Sequence, residues 1–135
     1  MKINSLLSAF LILATISLSA QNASIKRGDR QFKKFTFADA AESYAVAVKK
    51  NPTDIESRQK MARAYVLAED HVNAEAAYAE IVKIPNAGNI NHLYYAQELR
   101  ANAKYKEAAE QFNLFAANAP ADMRGMELSN NLDKV

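Results

Sequence analysis

HVNAEAAYAEIVKIP, residues 71–85, carries a small residue at Ala74 and a ring four places on at Tyr78. The same pair stands 34 residues earlier at Ala40 and Tyr44, and 34 residues later at Ala108 and Phe112. Twelve residues before each alanine is another small residue, Gly28, Ala62 or Ala96, and three before it a ring, Phe37, His71 or Tyr105. A proline closes each unit at or near one place, at Pro52, Pro85 and Pro120. A period of this length predicts stacked helix pairs, each burying on its neighbour the face it cannot bury alone. Such stacks usually present a binding surface rather than a catalytic one.

Helical spacing supports that reading within each unit. In DIESRQKMARAYVLAED, residues 54–70, Ile55, Met61, Tyr65 and Ala68 share one face with charges between them. Thr53 and Glu56 have the spacing of a capping box, and Thr36 is placed to cap FADAAESYAVAVKK. In the quoted stretch Val72, Ala76, Ile81 and Val82 are the expected apolar positions, and residues 91–103 and 105–118 form the last two helical blocks. Antiparallel helices approach closely only where a side chain is small, so Gly28, Ala62 and Ala96 are expected to cross Ala40, Ala74 and Ala108. The ring one turn beyond each of these alanines then fills the space toward the next pair.

Outside the repeats, the opening has one early cation, Lys2, an uncharged apolar run from Leu6 to Leu18, and the small residues Ser19 and Ala20. That order predicts an export signal, residues 1–20, cut after Ala20 or one residue earlier. The run is too short to span a bilayer. Without cysteine the fold has no disulfides to rely on. A formal net charge of +2 on 135 residues suggests no basic patch and no nucleic-acid partner.

Catalytic and metal chemistry find no support in the residue pattern. His71 and His92 fall in different repeats without a His-x-x-x-His pairing, and the glycines form no phosphate-cradling loop. No nucleophile, base and acid can be grouped. The expectation is therefore a non-enzyme with no cofactor and no metal. Asn22-Ala23-Ser24 matches a glycosylation acceptor but lies beside the expected new N-terminus, where it carries no meaning for a prokaryotic export signal.

With the small and aromatic positions in register, the chain resembles the tetratricopeptide repeat family, taking units of 21–54, 55–88 and 89–122. The match departs where the family's first-helix tryptophan is replaced by Ser24, Arg58 and His92, and where its later alanine survives only at Ala47. The resemblance implies an all-α, right-handed superhelical solenoid of three helix-turn-helix repeats plus a short C-terminal partial cap. It also implies a concave groove lined by the first helix of each pair. Carried over by position, that groove holds Lys26, Asp29, Phe32 and Lys33, then Gln59, Lys60, Arg63 and Val66, then Leu93, Tyr94, Gln97 and Arg100. This mixed, mildly basic surface suits a peptide with acidic groups and an apolar anchor. The family's clamp for a terminal carboxylate is not matched, because Ile25, Asp29, Lys60, Ile90 and Tyr94 stand at its places.

In residues 123–135, MRGMELSNNLDKV, Met123, Met126 and Leu128 could begin a cap, but Gly125 and Asn130-Asn131 are poor helix formers. Phe112 and Phe115 are then expected to form an uncovered C-terminal face, covered by a further domain, a partner or a second copy. The signal, the entry ASIKRGDRQFKKFTFADAAESY and the phrase HLYYAQELRANAKYKEAAEQF together resemble the N-terminal repeats of Bacteroidota outer-membrane proteins of the OmpA family, including the peptidoglycan-binding component of type IX secretion. That resemblance implies an exported adaptor, periplasmic or outer-membrane-associated, that binds another envelope protein. The alternative is a self-assembling structural module acting through Phe112 and Phe115.

Overall fold

The computed structural model describes residues 19–132, which form helices and short connections with no strand. Helix α1 covers residues 19–33. It is followed by α2 (Phe37–Lys50), α3 (Ile55–Leu67), α4 (His71–Ile81), α5 (Ile90–Ala101), α6 (Tyr105–Asn118) and α7 (Arg124–Leu132). The apolar run Leu6–Leu18, read as an export signal, lies outside the described residues. None of the described helices is long and apolar enough to cross a membrane.

The register residues do what their spacing demands. Ala40, Ala62, Ala74, Ala96, Ala108 and Phe112 are fully buried, and Tyr44 and Tyr78 are nearly so. At Gly28 the helices come closer than alanine would allow, since an added Cβ would stand 2.6 Å from the Tyr44 ring. Three apolar clusters follow along the stack. One joins Ala40, Ala41, Tyr44 and Ala64 to Ile25 and Phe32 of α1. The next gathers Ala62, Ala77, Tyr78 and Ile81 with Tyr95, and the last Leu93, Ala96, Leu99, Ala108, Phe112 and Phe115.

The turn inside each pair is built the same way three times. Thr36, Asp70 and Lys104 donate their backbone N–H to the carbonyls of Gln31, Tyr65 and Leu99, at 3.1, 3.0 and 2.8 Å. The residue before each donor, Phe35, Glu69 or Ala103, has a left-handed backbone with φ of 60°, 59° and 59°. This is a Schellman stop whose left-handed place is normally taken by glycine. Here none of the three is.

Several local expectations are corrected. Helix α3 starts after Asp54, whose carboxylate accepts from Ser57 Oγ and from Gln21 Nε2, while the Thr53 hydroxyl donates to Asn51. No capping box forms, because Glu56 is paired with Lys60 one turn on. The Thr36 hydroxyl turns back to the Gln31 carbonyl instead of capping α2. Val72 is 71% exposed, because Ala74, Ala77, Tyr78 and Ile81 form the buried face of α4.

The largest correction is at the C-terminus. Phe112 is fully buried and Phe115 is 3% exposed, so neither forms an uncovered face. Helix α7 packs on α6, with Leu128 and Leu132 against their cluster. Gly125 lets it approach, since a Cβ there would lie 2.9 Å from both the Phe112 carbonyl and the Phe115 ring. Poor intrinsic helix propensity is overridden by tertiary burial.

Candidate functional site

The side chains projected for a groove divide into two unlike halves. Between α1 and α3 they are satisfied by one another. Asp29 accepts from Lys60 Nζ at 3.2 Å and from the Tyr44 hydroxyl at 2.8 Å, and Glu56 takes a second bond from Lys60. Burial alone would lower the Lys60 pKa, but the bonds to Asp29 and Glu56 leave it above the ordinary lysine value. Burial and then Asp29 hold the Tyr44 phenol well above its usual range. The Arg63 guanidinium lies 5.5 Å from the centre of the Phe32 ring, which meets Phe37 edge-on at 5.1 Å. Asp29, Phe32 and Lys60 therefore close this half rather than present free recognition groups.

Between α3 and α5 a cleft of about 540 Å³ remains open, lined by Gln59, Arg63, Val66, Leu67, Tyr78, Asn91, Tyr94, Gln97 and Glu98. Gln59, Arg63, Val66, Tyr94 and Gln97 were expected here. Arg100 is exposed beyond the lining, and Lys26 and Lys33 are exposed on α1. Leu93 is not a groove residue. It is 1% exposed because its side chain joins Leu99, Ala108, Phe112 and Phe115 in the α5–α6 core.

Leu67, Tyr78, Asn91 and Glu98 were missed. Asn91 and Glu98 lie three before and four after Tyr94, so helical spacing placed them on its face, but residue-by-residue transfer of groove positions passed over them. Tyr78, read as core filler, is 5% exposed and stands 5.7 Å from Tyr94, ring centre to ring centre. Its phenol is pushed up to about 12 by burial first, then by the negative charge of Glu98 and by Tyr94.

The cleft's polar walls are already anchored. The Asn91 amide donates to the carbonyls of Ala87 and Gly88 at 2.6 and 3.0 Å and accepts from Gln59 Nε2 at 3.2 Å. Glu98, 5% exposed, meets His71 Nδ1 at 2.8 Å. Asn102 joins the same junction by donating to the His71 carbonyl and to Glu75, which also takes Lys104. No buried side-chain polar atom among the described residues lacks a partner. A wall fixed in advance loses little freedom when something docks on it. Among the described residues no group of three potential ligand side chains could hold a metal ion.

No family model matches the chain, and no curated protein matches it. Solved structures do. The Arabidopsis OM64 TPR domain superposes with a TM-score of 0.72 at 19% identity, covering 87% of this chain and 98% of that one. The fold is that of a tetratricopeptide-repeat domain. The second TPR domain of human RPAP3, in complex with the HSP70 peptide SGPTIEEVD, matches with a TM-score of 0.73 at 15% identity over 90% of this chain and 98% of that one. The Yersinia enterocolitica type III secretion translocator chaperone SycD matches at 0.66 and 14% identity, over 91% of this chain and 92% of that one. These likenesses show the repeat solenoid that the 34-residue register predicts.

Proposed function

We propose that this chain is a non-enzymatic scaffold that docks a peptide segment of a partner protein in the cleft between α3 and α5. The observation that carries this is the cleft itself. Amides of Gln59 and Gln97 stand beside the apolar Val66 and Leu67 and the rings of Tyr78 and Tyr94, with Arg63 at the rim and Asn91 holding Gln59 in place. Side-chain amides suit the peptide backbone, the apolar strip suits one inserted side chain, and Arg63 favours a nearby acid. The RPAP3 domain holds an acidic peptide in its complex, which supports a peptide as the kind of ligand. Since Ile25, Asp29, Lys60, Ile90 and Tyr94 occupy the carboxylate-clamp places, the ligand here is an internal segment rather than a chain terminus.

The apolar run Leu6–Leu18 ahead of the repeats supports an exported protein of the cell envelope, periplasmic or outer-membrane-associated. Its repeats resemble the adaptor part of OmpA-like secretion proteins. Self-assembly through Phe112 and Phe115 loses its basis, because both rings are covered by α7.

The test is capture from an envelope extract on immobilised protein. A bait carrying Arg63→Glu and Tyr94→Ala, shown to melt like the parent, should lose a captured protein that a Lys106→Gln bait keeps. Equal capture by both baits removes the cleft from the function.

A further inference from the structure

The chain is near neutral as a whole, but its charge is unevenly placed. Between residues 26 and 34 stand Lys26, Arg27, Arg30, Lys33 and Lys34 against one acid, Asp29. At the helical turn per residue, the five cations fall within an arc of about 120° on α1. That arc lies opposite Gly28 and Phe32, which face Tyr44 and the first apolar cluster. Asp29 lies outside it, committed to Lys60 and Tyr44. All five cations are exposed, and none is in an ion pair among the described residues. Arg27 alone shares a shallow depression with Asp39 and Glu42. The expectation that the charge forms no basic patch is thus corrected, because whole-chain counting hides a one-sided helix.

Ordinary helix physics covers only part of this. Cations are favoured in the last turn of a helix, which accounts for Lys33 and Lys34 but not for Lys26, Arg27 and Arg30. Like charges three or four residues apart destabilise a helix, and Arg30 has such neighbours at Lys26, Arg27, Lys33 and Lys34. A merely solvated face would interleave acids, as α3 does with Glu56 and Lys60.

We propose that this face of α1 binds an anionic lipid surface through its phosphate-bearing headgroups. The charge complementarity is of the extended kind, since the cations form a line on a convex helix rather than converge on a pocket. Lys34 is followed by Phe35, whose ring is 79% exposed although its backbone is held left-handed, an arrangement suited to an interfacial anchor. The proposal does not depend on what the α3–α5 cleft holds.

The experiment uses the full chain with sedimented vesicles, either pure phosphatidylcholine or with about one-third phosphatidylglycerol, the second type presenting the anionic surface that attracts basic segments. Each cation near such a surface contributes roughly fivefold to partitioning. The anionic vesicles should therefore be preferred by at least about a hundredfold, and the preference should collapse as salt rises. Neutralising Lys26, Arg30, Lys33 and Lys34 together as glutamines should cut the preference to no more than about fivefold, the share of Arg27, and leave the melting temperature within a few degrees. Lys49→Gln with Lys106→Gln should change it by no more than about tenfold, being two charges elsewhere. Any binding owed to residues 6–18 appears equally with both vesicle types and cancels. Equal binding to both vesicles, equal loss in the control pair, or capture by polyglutamate or duplex DNA without vesicle preference would each overturn the proposal.

Discussion

Replacing Ala103 by glycine should stabilise this protein, although glycine is the poorest helix former after proline. Ala103 sits at φ 59° in the turn between α5 and α6, where the Lys104 N–H reaches the Leu99 carbonyl at 2.8 Å. For an L-residue with a Cβ, the left-handed region costs about 1–2 kcal/mol. Glycine removes that cost but enters folding with about 0.5–1 kcal/mol more backbone entropy to lose. The difference favours Ala103→Gly by roughly 0.5–1 kcal/mol, with no side-chain contact sacrificed. For a domain of this size that raises the melting temperature by about 2–6 °C, read by circular dichroism. The internal control is Ala76→Gly on the exposed face of α4, where helical φ makes the same change cost about 1 kcal/mol. Opposite signs at the two sites support the turn geometry. If Ala103→Gly melts at or below the parent, the left-handed turn is not where the strain lies.

Glu69→Gly should behave like Ala103→Gly and add to it within a few tenths of a kcal/mol, measured as the melting shift of the double variant. Gly125→Ala should cost about 1–3 kcal/mol in urea unfolding, since the new Cβ meets the Phe112 carbonyl, which cannot move aside; an unchanged midpoint would mean that α7 does not dock as described. Asn91→Ala should cost about 1–2 kcal/mol, because it leaves the half-buried Ala87 carbonyl without its donor while the Gly88 carbonyl keeps the Asn91 backbone N–H; an unchanged urea midpoint would mean the amide anchors nothing. Tyr78 keeps its proton in the folded state up to about 12, whereas unfolding returns it to the ordinary phenol value near 10. The folded state then holds more protons between these two values, so the stability this group contributes is full below pH 10 and is lost as pH rises toward 12. Tyr78→Phe should flatten that part of the stability–pH curve; an unaltered slope would remove the phenol as its source.

The helix pairs were legible because they rest on volume. Five alanines at zero exposure are residues for which register, propensity and packing agree, so spacing alone finds them. The turns were not legible, because Phe35, Glu69 and Ala103 carry none of the glycine signal that announces a left-handed residue. Helix α7 was legible only as a partial cap, because Gly125 reads as a breaker in sequence and acts as a contact surface in space. Half of the groove was misplaced because register fixes a position on a helix, not its neighbours. Leu93 shares its repeat place with Gln59, yet one is buried against phenylalanines and the other lines a cleft. Nothing in single-residue spacing told that Asp29 and Lys60 would meet across two helices and close the other half.

The main packing partners from α2 onward join each helix to the next in the chain, α2 to α3, α3 to α4, and so on to α7. Such a molecule has an order of assembly but no single keystone. Its contacts close short loops, which favours rapid folding, and loss of structure can begin at an end and advance pair by pair. Helix α7 then acts as a latch. While it stays shut, Phe112 and Phe115 remain dry and the last pair is held; once it lifts, the stack ends in two bare rings, the kind of surface that proteases and chaperones recognise first.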